Sequence, residues 1–64
     1  MSETTYLSDA QIAARFGMSR NSVWRHVREG RLPQPIKLFE KTTRWRLSEI
    51  EEFEAARAAE SRAV

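Results

Sequence analysis

Arg20, Asn21, Ser22 and Arg25 crowd together directly after Ser19, in the run MSRNSVWRHVREG that spans residues 18–30. An arginine can bond bidentately to the O6 and N7 of a guanine, and an asparagine to the N6 and N7 of an adenine. Serine hydroxyls and the free N–H groups at a helix start can hold a phosphate. Arg28 closes the run and Arg31 follows it, with Glu29 as the one acid between. A second group of similar chemistry lies downstream: Lys37, Lys41, Thr42, Thr43, Arg44 and Arg46. Residue types that grip polyanions and read base edges thus fall in two nearby segments.

The charge balance of the whole chain hides this concentration. The 64 residues sum to +2, but residues 15–46 hold nine Lys or Arg against two acids, a local +7. Residues 47–64 carry five glutamates against Arg57 and Arg62, and residues 1–14 add Glu3 and Asp9. A basic middle between acidic flanks points to a nucleic acid partner. A membrane surface fits less well, because residues 19–29 offer only Val23, Trp24 and Val27 for an apolar face.

Other chemistries find no footing. There is no cysteine and a single histidine, so no thiolate or multi-histidine metal site can form. No Gly-rich phosphate loop and no Ser/His/Asp arrangement is present. The expectation is a non-enzymatic chain without cofactor or metal. MSETTYLSD at the start lacks a signal-peptide core, and the missing cysteines suit a reducing compartment, so a cytoplasmic location is expected.

Local signals divide the chain into elements. Ser8 with Gln11 reads as a capping box, with Leu7 and Ile12 as its hydrophobic staple, opening a helix to about Phe16. Gly17 suits its C-terminal left-handed residue. Ser19 caps a second helix, stapled by Met18 and Val23 and closed by Gly30. Two helices joined by a short glycine-containing turn make a helix-turn-helix.

Pro33 and Pro35 force extended backbone next. Ile36-Lys37-Leu38 and Arg44-Trp45-Arg46 alternate as two short strands around a polar connection, 39–43. That alternation sends Ile36, Leu38 and Trp45 inward and Lys37, Arg44 and Arg46 outward. Ser48 with Glu51 signals a third helix whose inward stripe includes Ile50 and Phe53. The expected architecture is mostly α with a small β-hairpin: helix, turn, helix, hairpin wing, helix, a winged helix-turn-helix. One domain would occupy residues 7–56, after a flexible arm (1–6) and before a fraying tail (57–64).

Residues 6–55 resemble the AlpA and excisionase (Xis) group of small phage and prophage DNA-binding proteins, a fold related to the MerR-type DNA-binding domain. MSRNSVWR, EGRLPQPIKL and RWRLSEIEEF carry the resemblance by their order and spacing. The group commonly has tyrosine where this chain has Trp24, and an aliphatic residue at His26. A tyrosine hydroxyl can reach phosphate, whereas tryptophan offers only its indole N–H. The resemblance implies a sequence-specific reader of double-stranded DNA. It would act either as an excisionase that binds repeated sites, bends DNA and steers an integrase, or as a transcriptional regulator acting near RNA polymerase. A monomer in solution that associates cooperatively on DNA is implied as well.

On this reading Ser19, Arg20, Asn21, Ser22, Arg25 and Arg28 belong to a recognition helix, with Ser19 a cap first. Lys41, Thr42, Thr43, Arg44 and Arg46 belong to the wing, at phosphate or minor groove. Trp45 is expected in the core, His26 at an ordinary boundary, and Trp24 either packed or lining the DNA. The competing reading is a protein-interaction adaptor that works through its acidic third helix.

Overall fold

The computed structural model describes residues 4–62. Its elements run β1 (Tyr6–Leu7), α1 (Asp9–Phe16), α2 (Arg20–Arg28), β2 (Ile36–Phe39), β3 (Thr42–Arg46) and α3 (Leu47–Arg62). The fold is mostly helical with a small antiparallel sheet, a winged helix-turn-helix.

Cap chemistry sets the helix ends. The Ser8 hydroxyl accepts from the Gln11 N–H, and the Gln11 side chain accepts from the Ser8 N–H, closing the capping box. The Ser19 hydroxyl accepts from the Ser22 N–H at the start of α2. Both helices then end alike. Gly17 (φ 67) and Gly30 (φ 74) turn left-handed, and the next N–H reaches back to free carbonyls: Met18 to Ala13 at 2.9 Å, Arg31 to His26 at 2.8 Å. The turn between α1 and α2 is thereby reduced to residues 17–19.

The core is a single cluster of Ile12, Ala13, Val23, Val27, Leu32, Trp45 and Ile50. Phe16 meets Phe53 edge-on at 6.2 Å, and Trp24 leans on Trp45 at 5.3 Å between centroids. The Trp45 indole N–H donates to the Pro33 carbonyl (2.8 Å), so the one polar atom of its side chain is satisfied although the residue is only 1% exposed. Leu32, in the proline-rich link, is buried as well.

The sheet differs from expectation in several ways. A third strand exists, in the order β1-β3-β2, with Tyr6 opposite Arg46 and Leu7 opposite Trp45. The end of the expected arm is tied to the rest of the fold: Tyr6 is in the sheet, and the Thr5 carbonyl accepts from the Leu47 N–H at 2.8 Å. Residues 1–3, the rest of that arm, lie outside the described residues. The hairpin turn is Glu40-Lys41, so Thr42 and Thr43 are strand rather than loop.

Register also overturns the expected facing of β2. Antiparallel partners share a face. Ile36 pairs with Arg44 and Lys37 with Thr43, which puts Ile36 on the face away from Trp45 and Lys37 on Trp45's own side. A bulge between Lys37 and Phe39 then sets both Leu38 and Phe39 against Thr42, so neither packs inward: Leu38 is 37% and Phe39 72% exposed.

α3 starts at Leu47, straight out of β3, so Ser48 lies inside the first turn and is not the cap. The Thr5 carbonyl holds the Leu47 N–H there. The helix continues to Arg62, past residue 56, because Ala, Glu and Arg all favour helix. What was expected as a fraying tail is helical as far as it is described; residues 63–64 lie outside.

Candidate nucleic-acid interface

α2 follows α1 across the tight turn and buries Val23 and Val27. At 3.6 residues per turn, Asn21, Arg25 and Arg28 occupy the side opposite those two valines. All three are exposed. Arg20 and Trp24 share one flank of the helix, and Ser22 and His26 the other.

The Arg20–Trp24 flank is engaged internally. Arg20 donates through Nε (3.2 Å) and Nη2 (3.1 Å) to the Asp9 Oδ2, and the Trp24 indole donates to the same oxygen at 3.0 Å. The indole hydrogen bond, with help from Arg20 and the Ala10 N–H, holds the Asp9 carboxyl below its ordinary pKa although burial opposes it. Arg20 keeps 67% of its side chain exposed, so it is anchored at one edge and open at the other. Its neighbours Asp9, Ser19, Asn21 and Trp24 line a shallow notch of about 470 Å³ with it. Trp24 is half-buried against Trp45, with its N–H committed to Asp9. Ser19 caps the helix and its hydroxyl also donates to the Ser22 hydroxyl at 3.0 Å.

On the wing, Arg44 and Arg46 flank the buried Trp45 and therefore share the opposite face of β3, together with Thr42. Their cross-strand partners add Phe39, Ile36 and Tyr6 to that face. Thr43 falls on Trp45's side, apart from the two arginines. Lys41 is exposed in the turn. Arg44 donates to the Thr43 carbonyl at 2.8 Å, and Arg46 approaches Glu49 only to 4.0 Å.

Acid partners are unevenly shared among the cations. Arg15 clasps Glu54 through Nε (2.6 Å) and Nη2 (2.7 Å), a two-pronged bond that raises the arginine's pKa and lowers the glutamate's. Arg31 is loosely matched to Glu29 and Arg57 to Glu60. Among the described residues, Arg25, Arg28, Lys37, Lys41 and Arg44 form no ion pair. Uncompensated positive charge therefore sits on the outward side of α2 and on the hairpin. His26 borders a groove formed by Phe16, Met18, Leu32 and Phe53, on the other flank of α2. The Asp9 link between the two helices was not foreseen in the sequence. Its only local trace is an acid at the first position of α1.

Among the described residues no group of His, Cys, Asp and Glu could hold a metal ion, and no helix is long and apolar enough to cross a membrane. Neither the curated proteins nor the solved structures give a significant match. Residues 6–58 do match one family, described as "Prophage CP4-57 regulatory protein (AlpA)". That match takes in both helices of the helix-turn-helix, the whole wing and most of α3, and the chain belongs to the AlpA family of prophage regulatory proteins.

Proposed function

We propose that this chain is a cytoplasmic, non-enzymatic reader of double-stranded DNA, with α2 in the major groove and the hairpin against the neighbouring backbone. One observation carries the reading. α2 buries its valines and turns Asn21, Arg25 and Arg28 to solvent, with no acid partner for either arginine among the described residues. Arg25 and Asn21 are the base-reading residues, Arg28 a phosphate ligand, and Arg44, Arg46, Thr42 and Lys41 the backbone contacts of the wing. Ser19 caps the helix and, with Ser22, offers a hydroxyl pair to phosphate. Arg20 contributes through its free edge only, since Asp9 occupies the other.

A module this small reads few base pairs, so useful specificity calls for several copies on repeated sites. Excisionase action with an integrase and transcriptional control near RNA polymerase both draw on this one surface. Membership of a prophage regulatory family supports either.

Selection of bound sequences from random duplexes, followed by titration on single and tandem sites, tests the reading. Arg25→Ala should cost about 1–3 kcal/mol on the selected site and relax one position of it. Arg46→Ala should weaken all sequences alike and reduce the salt slope by about one phosphate's worth. Undetectable binding to any duplex at low salt would overturn the proposal in favour of an adaptor working through the acidic α3.

A further inference from the structure

Phe39 is the most exposed large hydrophobic residue among those described, at 72%. Burying such a ring is favourable, and the isolated chain forgoes most of that gain. Its exposure is built in rather than incidental. By alternation from Lys37, Phe39 would return to Trp45's side of the sheet. The bulge between Lys37 and Phe39 instead pairs it with Thr42, on the face of Arg44 and Arg46. Leu38, the extra residue, stands beside it, 37% exposed.

We infer that Phe39 is an apolar wedge, which enters a base step from the minor groove, unstacks it and bends the duplex. The inference rests on the DNA reading proposed above and adds a residue that reading does not use. Shape and charge both favour it. The ring sits next to the Glu40-Lys41 turn, at the narrow end of a two-stranded ribbon. Lys37 and Lys41 lie on either side of it in sequence, and Arg44 and Arg46 continue along its face, against Glu40 as the only acid in the hairpin. An apolar protein surface covering Phe39 would have to bury Lys41 and Arg44, which have no acid partner among the described residues, whereas a nucleic acid pairs them with phosphates. Inserted apolar side chains of this kind kink DNA by about 20–90°.

The test uses the full chain and the duplex recovered by selection from random sequences, labelled at its two ends for energy transfer. The wild type should bring the ends together, and Phe39→Leu should retain the bend. Phe39→Ala should melt like the wild type and still bind, with its salt dependence intact, but leave the duplex nearly straight. It should also lose any preference for a flexible TA or CA/TG step under the wing. An unchanged bend with Phe39→Ala, or wild-type binding without bending, overturns the wedge while leaving the DNA reading in place. Should Phe39→Ala instead abolish sedimentation-detected self-association with the bend intact, the ring serves a protein contact and the wedge is likewise overturned. Absence of any duplex binding by the wild type sinks both.

Discussion

Asp9 and Trp24 join the two helices of the helix-turn-helix: the indole N–H donates to the Asp9 Oδ2 at 3.0 Å, the same oxygen that Arg20 holds. The carboxylate is 19% exposed, so the contact is largely sheltered from solvent. It fixes the angle of the candidate recognition helix on α1 and at the same time neutralises part of Arg20's charge. Asp9→Ala should lower stability by about 1–3 kcal/mol, because it leaves the half-buried indole N–H without its acceptor. Asp9→Asn keeps an acceptor oxygen, so it should cost less stability. It should also raise affinity for duplex DNA by freeing Arg20 and removing a negative charge. Denaturant unfolding and a low-salt duplex titration of both variants check this; weaker DNA binding by a well-folded Asp9→Asn would refute it.

The same carboxylate gives the fold an acid-sensitive limb. Asp9 titrates below its ordinary range through the Trp24 hydrogen bond, then through Arg20, and Glu54 does so through Arg15. Both groups have a lower pKa folded than unfolded. On acidification the unfolded chain takes up these protons first. Their contribution is therefore complete above the ordinary carboxylate range, about pH 4, and is lost as pH falls through the lowered native values. The urea midpoint, followed from neutral pH downward, should stay level as far as these two groups are concerned and then drop. Asp9→Asn should drop less steeply.

Trp45 is the largest fully buried side chain among the described residues and also makes a specific polar bond, to the Pro33 carbonyl at 2.8 Å. Trp45→Phe retains an aromatic ring against Trp24 but strands that carbonyl, at about 1–3 kcal/mol. Trp45→Ala should cost about 3–5 kcal/mol, enough to unfold most molecules of so small a domain. Thermal melts would show the order wild type, Phe, Ala. Equal losses for the two variants would mean that the bond, not the ring's area, dominates.

Local signals were legible before the fold was known. Ser8, Gln11, Ser19, Gly17 and Gly30 act within a turn of their own positions, so their roles follow from neighbours in sequence. Long-range geometry was not legible. Two residues of β1 are too few to show alternation. The facing of Ile36, Leu38 and Phe39 depends on a register and a bulge that only strand pairing fixes. Ser48 gave a valid cap signal, but the Thr5 carbonyl, far off in sequence, serves that helix start instead. The candidate interface divides in the same way. Arg25 and Arg28 fall on the outward side by helical periodicity alone, whereas the tie between Arg20 and Asp9 appears only when α1 and α2 come together.

Gly17 sets the turn between α1 and α2, and its φ of 67° belongs to the left-handed region. A Cβ added there would meet nothing within 4 Å, so no clash contributes to the cost of substitution. Gly17→Ala therefore isolates the backbone term, about 1–2 kcal/mol for an L-residue held left-handed. Gly17→Asn should cost less, because asparagine tolerates that conformation. Equilibrium unfolding of the two variants gives both numbers. Since the turn's hydrogen bonds, Met18 N–H to the Ala13 carbonyl above all, survive in either variant, duplex affinity per folded molecule should match the wild type. A loss of affinity larger than the loss of folded protein would mean that the substitution changes how α2 sits on α1, and not merely the strain in the turn.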